Sequence, residues 1–474
     1  MIPLQLREIA ALTGGELHGD DVLVDGPVVT DSREAQTGSL YVARVGEHAD
    51  GHQFTGAARA AGAVAALTSR VVPELPCVVV PDVQEAFARL ARGVADRVPD
   101  LTIVGITGSS GKTSTKDLLA GVLAPHGETV APVGSLNSEV GVPLTVCRLT
   151  ASTRYLVAEM GASGIGHIAY LTWIAPPRLG IVLNVGSAHV GEFGSRENIA
   201  TAKAELVQAL PADGVAVLNA DDPVVAAMAA KTSARVVFVG TSPDATVRAD
   251  DIELDAAGRA SFTLKTPQGE ARVGLQLHGE HQVSNALAVA AVALELGLAP
   301  DDVAAALSSA RPGSRWRMEV HERADGVTVV NDAYNANPDS MRAALKALAA
   351  MGHGRRTWAV LGEMLELGDE SIAEHDALGR VAVRLNISRL VAVGEGAKPI
   401  DTAARHEGSW GNESTWVPDV EAAEALLRQE LTAGDVVLLK SSRDAGLRWL
   451  GDRLVDDDPD GQDAGNAKGQ VAGS

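Results

Sequence analysis

Residues 101–114 read LTIVGITGSSGKTS, an apolar run that breaks into a loop almost bare of side chains and then sets a lysine at the mouth of the next segment. Leu101, Ile103, Val104 and Ile106 are β-prone, and beyond Lys112 the residues Leu118, Leu119, Val122 and Leu123 fall on one helical face. The loop therefore joins a strand to a helix. The first N–H groups of a helix have no internal acceptor and the helix dipole adds positive charge there, so a phosphate is the natural guest. Gly108 and Gly111 let the backbone wrap closely, Lys112 can reach outer phosphates, and the Thr113 hydroxyl suits Mg²⁺. With Ser109, Ser110 and Ser114 these residues form the expected site for a nucleoside triphosphate, taken to be ATP. One position departs from strict P-loop spacing: Ile106 stands where a further glycine is usual. A plain glycine-rich turn is the alternative, and the combination of strand, loop, Lys-Thr and helix weighs against it.

A chain of 474 residues exceeds one ordinary core and suggests about three domains. The formal charge of −21 argues against nucleic acid or an anionic membrane as a bulk partner, since both need a positive footprint. Any phosphate must be held by local donors. Cys77 and Cys147 are too few for a disulfide framework or a thiolate zinc cluster, and read as buried free thiols. The start, MIPLQLREIAALTGG, lacks the apolar block of a signal peptide, and no long uncharged span comes after it. The expectation is a soluble cytoplasmic protein with no membrane insertion.

From Val22 to about Asp82, short strands such as GSLYVAR and PCVVVPD alternate with alanine-rich helical stretches. A helix over VQEAFARLARGVADRV and then Pro99 mark a boundary, so residues 1–98 form a first α/β unit. LTIVGIT, RYLVAEM, LGIVLNV, GVAVLNADD and ARVVFVG then recur with helices between them, as in a parallel sheet covered on both faces. An antiparallel excursion from Asp250 to Gln276 and the helix in HGEHQVSNALAVAAVALELG complete a second unit, 99–314. Parallel strands in GVTVVNDAY, RTWAVLGEM, RLVAVGEG and DVVLLKSSR make a third α/β unit, 315–455. Residues 456–474 have too little apolar content to offset ordering entropy and are expected to be disordered.

Open α/β sheets bind ligands outside the carboxyl ends of their strands, where Glu159, Asn184 and Asp221 fall. Glu159 closes the strand YLVAEM, a costly place for an unemployed carboxylate. His189, in NVGSAHVGEFGS, reads alone as a hydrogen-bonding loop histidine and beside a P-loop as a metal ligand. Lys203 shares one helical face with Ile199, Leu206 and Leu210, so a lysine falls on a buried stripe. In VVNDAYNANPDSM, Asn331, Asp332 and Tyr334 suit a ribose or base, while turn and cap chemistry by Asn337 or Asp339 explains the stretch equally well.

The ordered series TDSR, DGHQF, TGSSGKTS, NSEVGVPLT, AEMGAS, NVGSAHVGEFGS, AKAEL, GEHQVSNALA, RPGSRW, NDAYNANPDSM, LGEMLELG and LKSSR, from about Asp31 to Arg443, resembles the Mur ligases of bacterial peptidoglycan synthesis. The resemblance implies an amino-terminal domain for the UDP end of the substrate, a central ATPase domain and a Rossmann-like carboxyl-terminal domain. It implies that Glu159 and His189 bind Mg²⁺ beside Thr113, and that Lys203 is carbamylated and helps hold a second Mg²⁺. Lys112, Lys203 and His189 would carry the chemistry. His281 and Asn285 would lie near the adenine, and Arg315 with Asp332 and Tyr334 would meet the nucleotide on closure. Asp31, Ser32 and Arg33 of TDSR, with Asp50 and His52 of DGHQF, would hold uridine diphosphate. Asn137 and Glu139 are kept in a substrate loop where Ser135 and Ser138 replace the family's usual asparagines.

NANPDSM and LGEMLELG are similar to the dipeptide-adding members. That implies UDP-N-acetylmuramoyl-tripeptide and D-alanyl-D-alanine as partners, ATP and Mg²⁺ as cofactors, a monomer, and amide formation through an acyl phosphate. The rivals are the ligase adding the third residue, a folylpolyglutamate synthase, and a P-loop switch that makes no bond.

Overall fold

The strand anticipated at Leu101–Ile106 spans Thr102–Thr107 and lies inside a nine-stranded sheet. In this computed structural model, residues 1–46, 49–186, 190–407 and 412–456 are described. Val104 and Ile106 face one core and Ile103 the other, as the two-residue period of a strand buried on both faces requires. Ile106 is fully buried and pairs with Glu159 on one side and Ile181 on the other. The position of the missing P-loop glycine is therefore still strand, which favours a branched apolar residue.

The strands at 128–130, 153–159, 102–107, 179–182, 215–219, 235–240 and 247–254 are parallel neighbours in that order. Strand 102–107 has later strands on both sides, so the strand order reverses at the phosphate loop, where open sheets form ligand crevices. The expected antiparallel excursion is Val247–Leu254, Arg259–Thr266 and Gly269–His278. The helix Gln282–Glu295 then returns to pack against the helix Lys112–Leu123.

Before this sheet, a five-stranded sheet runs in the order 16–18, 77–79, 63–68, 39–42, 28–29, beside a two-stranded pair at 4–5 and 23–24. After it, a six-stranded sheet runs in the order 319–322, 328–331, 436–440, 357–361, 389–393, 414–417, with only the first strand antiparallel. All three sheets carry helices, and the class is α/β as expected. Cys77 and Cys147 are buried and free. No helix among the described residues is long and apolar enough to cross a membrane. The helix Leu447–Asp456 takes in the first residue of the expected tail; the rest, 457–474, lies outside the described residues.

Candidate active site

The phosphate loop closes with Gly111 at φ 83°, and a Cβ there would stand 2.6 Å from Asn285 Oδ1. Glycine meets both demands. The first bond of the following helix runs from Thr115 N to Gly111 O, so the amides of Lys112, Thr113 and Ser114 precede it and have no acceptor within the helix. Asn184 braces the loop: Ser109 N donates to its carbonyl at 3.1 Å and Ser110 N to its Oδ1 at 2.9 Å. Lys112 folds back and donates to Gly108 O at 2.7 Å. Burial pulls its ammonium below the usual lysine value, Glu159 opposes this, and Arg317 adds to it.

Glu159 is 1 % exposed; it accepts from Thr113 Oγ1 at 3.0 Å and from Asn137 Nδ2 at 2.6 Å. The carboxylate is thus tied both to the helix Lys112–Leu123 and to the loop that carries Asn137. Lys203, at 5 % exposure, lies on the buried face of the helix Arg196–Gln208 and lines the same cavity. Among the described residues its ammonium has no hydrogen-bond or ion-pair partner. Burial pulls its pKa well below the usual value, and the charge of Lys112 adds to this. His189 lies outside the described residues.

The cavity, of about 1030 Å³, is shared between the central and carboxyl-terminal sheets. His281, Asn285, Asp332, Tyr334, Asn137 and Glu139 line it, as do Ser109 to Ser114. Gln282 accepts from Asn285 Nδ2 at 2.9 Å and keeps the amide facing Gly111. Side-chain contacts among the described residues join the sheets across the cavity. Ser135 Oγ and Tyr334 OH lie 2.7 Å apart, Arg317 Nη2 donates to Thr113 Oγ1 at 3.3 Å, and Asn337 Nδ2 donates to Ser109 O at 3.4 Å. Ser138 instead serves its own loop, accepting from Gly141 N at 3.3 Å. Asn337 also caps the helix Pro338–Met351 through Ser340 N, so cap chemistry accounts for part of that motif.

Other expected residues stand elsewhere. Arg315 pairs with Asp452 at 2.9 Å on an exposed face and does not line the cavity. Arg317, two residues on, lines it instead. Trp316 and Met318 take left-handed φ values of 58° and 50°, and these reversals turn neighbouring arginines to different sides. Asp221 accepts from Thr241 N and Ser242 N and holds a turn away from the cavity. Asp31, Ser32, Arg33, Asp50 and His52 lie around the five-stranded sheet, also away from it. Asp31 pairs with Arg33 at 2.6 Å, and this lowers its pKa. Asp50 accepts from Arg70 and His52, at 2.7 and 2.6 Å, which holds its carboxyl far below the usual range.

Lys440 was not singled out from the sequence. It is 2 % exposed, ends the apolar strand Val436–Lys440, and donates to Asp332 Oδ2 at 2.6 Å and Asn335 O at 3.1 Å. Asp332 Oδ1 accepts from Met318 N at 3.0 Å, so one ion pair ties the strand ends to the linker. A lysine closing an otherwise apolar run was the available signal.

Two family models match: the Mur ligase middle domain over residues 106–293, and the Mur ligase glutamate ligase domain over 316–443. The UDP-N-acetylmuramoyl-tripeptide–D-alanyl-D-alanine ligase of Mycobacterium tuberculosis is 51 % identical over 97 % of this chain and 99 % of its own. The crystal structure of MurF from Acinetobacter baumannii superposes with a TM-score of 0.86 at 32 % identity, covering 96 % of this chain and 99 % of that one. MurF from Thermotoga maritima, in complex with ADP, gives a TM-score of 0.79 at 30 % identity, covering 91 % and 98 %. Similarity of this extent, with a phosphate loop at the reversal of the central sheet, shows that the chain belongs to the Mur ligase family.

Proposed function

We propose that this chain is an ATP-dependent ligase that joins the carboxyl end of UDP-N-acetylmuramoyl-tripeptide to D-alanyl-D-alanine. One observation carries the reading: the phosphate loop, a buried carboxylate and a buried lysine with no ion-pair partner among the described residues line a single cavity with residues of the carboxyl-terminal sheet. Relatives alike over nearly the full length are named for that reaction.

A carboxylate oxygen of the tripeptide attacks the γ-phosphorus, the bond to the β-phosphate oxygen breaks, and ADP leaves. The amine nitrogen of the dipeptide then attacks the acyl carbon, phosphate departs with the former carboxylate oxygen, and the nitrogen loses its proton. Lys112, the amides at the helix start and Arg317 neutralise charge on the transferring phosphoryl group. Asn137 and Glu139 hold the tripeptide end, Asn285 and His281 the nucleoside, and Asp332 and Tyr334 the closed arrangement. Contacts between the sheets exclude water that would hydrolyse the acyl phosphate.

Mg²⁺, when bound, supplies Lewis-acid stabilisation of the phosphate oxygens. The donor set fits a hard cation: the Thr113 hydroxyl and the Glu159 carboxylate are oxygen ligands already within 3.0 Å of each other. Phosphate oxygens and a modified Lys203 would complete the set around such a cation. Lys203 carries a carbamate: its amine nitrogen bonds to the carbon of CO₂, releases a proton and becomes an anion. His189 would be a further ligand.

Residues 1–98 bind the UDP end through Asp31, Ser32, Arg33, Asp50 and His52; 99–314 bind ATP; 315–455 bind the amine. The enzyme works as a cytoplasmic monomer. Product mass after incubation with D-alanyl-D-alanine, D-glutamate, L-lysine and meso-diaminopimelate in parallel tests the reading. The dipeptide adduct is expected, and an adduct with a single amino acid alone would assign the chain to a sister ligase.

A further inference from the structure

The dipeptide of the proposed reaction carries a free carboxylate into a chain of formal charge −21. That group needs a cation not already neutralised, placed away from the phosphate end where the amine nitrogen must lie. The lysines and arginines lining the cavity separate by what they touch. Lys112 folds onto the phosphate loop, Arg317 reaches Thr113, Lys203 lies under the influence of Lys112, and Lys440 is paired with Asp332. Arg443 alone of these is exposed and on the carboxyl-terminal wall, and its guanidinium makes no hydrogen bond or ion pair among the described residues.

The backbone around it is fixed. Arg443 follows the strand Val436–Lys440 and begins the turn Arg443–Ala445, at a strand end where parallel sheets present ligands. The preceding residue is clamped: Ser442 N donates to Glu363 O, and Leu365 N to Ser442 Oγ, both at 2.9 Å. Leu365 is therefore held near Arg443, and Leu365 and Ala343 give the same cavity apolar side chains. Arg448 stands near Arg443: its Nε is buried without an acceptor among the described residues, and burial and the charge of Arg443 act to lower its pKa while Asp444, Tyr334 and Asp452 act the other way. Its plane packs on Trp449 and Trp316, at 4.9 and 5.4 Å from their centroids, and neither ring removes the charge. Asp444, Glu366 and Asp332, the last paired with Lys440, are acids lining the cavity on this wall.

We infer that Arg443 is a specificity-determining residue for the amine substrate: its guanidinium receives the terminal carboxylate of the dipeptide, with the alanine methyls against Leu365 and Ala343. A guanidinium fork matches a carboxylate with two parallel hydrogen bonds, which an ammonium or an amide cannot reproduce. The inference rests on the ligase reading above and deepens it.

The test compares D-alanyl-D-alanine with its carboxyl-terminal amide as substrates of the full chain and of Arg443→Gln and Arg443→Lys. The unmodified enzyme should favour the acid by about 10- to 100-fold in kcat/KM, the range for one charged hydrogen-bond pair. Arg443→Gln should bring the acid down to the amide by raising its KM, Arg443→Lys should restore part of the preference, and the KM for ATP should not move. Acid and amide falling together in the variants would overturn the inference, as would a raised KM for UDP-N-acetylmuramoyl-tripeptide in place of the dipeptide. Equal rates for acid and amide in the unmodified enzyme would overturn it alone, leaving ligation standing. Absence of any adduct with either would overturn the ligase reading as well.

Discussion

Lys203 lies on the buried face of the helix Arg196–Gln208, in the same cavity as the phosphate loop. Its four-residue spacing from Ile199 put it on an apolar stripe, and the structure buries it there with no acceptor among the described residues. An ammonium in that setting is unfavourable, which leaves the amine free to take up CO₂. Arginine keeps the positive charge and cannot form the carbamate, so Lys203→Arg should lower turnover by about 10²-fold or more. Steady-state kinetics and intact mass check this together: active protein with an unmodified Lys203 in its Mg-ATP state would contradict it. The choice between Arg315 and Arg317 was not legible. Both lie in SRWRMEV, and only the left-handed turns at Trp316 and Met318 decide which one reaches Thr113. Bulky residues rarely adopt such turns, so nothing in their composition announces them.

Elements were more legible than residues, because burial on two faces writes itself into a strand as an unbroken apolar run. The strand Val436–Lys440 was readable on that ground, and so were Thr357–Leu361 and Arg389–Val393. What holds these strands in place was less so. Asp435 is buried just before Val436 and accepts from Arg356 at 2.9 and 2.6 Å, Trp358 Nε1 at 3.1 Å and Thr432 N at 2.9 Å. In DVVLLK it reads as a loop residue, since its partners come from distant segments. Burial acts to raise the Asp435 pKa, but Arg356 and the hydrogen bonds outweigh it and leave it below the ordinary value. A carboxyl depressed in the folded state contributes stability above its unfolded pKa, about 3.9, and loses it as pH falls through the folded value. Asp435→Asn should therefore cost about 1–3 kcal/mol near neutral pH, with allowance for the partial exposure of Arg356. Below the unfolded pKa, about 3.9, the gap from the unmodified protein should narrow. Urea melts at pH 7 and pH 3 measure both quantities, and an equal gap at both would contradict the account.

At the scale of the molecule, the order of motifs along the chain carried the family and the α/β class, while the cavity could not be read in advance. It depends on contacts between segments 199 and 204 residues apart, Ser135 with Tyr334 and Thr113 with Arg317. The substitution of Ser135 for an expected asparagine gains its meaning only there, as one half of a contact across the cavity. With the phosphate loop and Arg443 on different sheets of one cavity, the proposed reaction predicts that ATP is cleaved productively only when both substrates bring the sheets together. The most direct measurement is ADP release by the full chain with Mg-ATP, leaving out UDP-N-acetylmuramoyl-tripeptide, D-alanyl-D-alanine or neither, alongside the mass of the product. Rapid release is expected only with both present, with one amide product formed for each ADP. Equal ADP release with the dipeptide omitted, and no amide product when it is present, would contradict it.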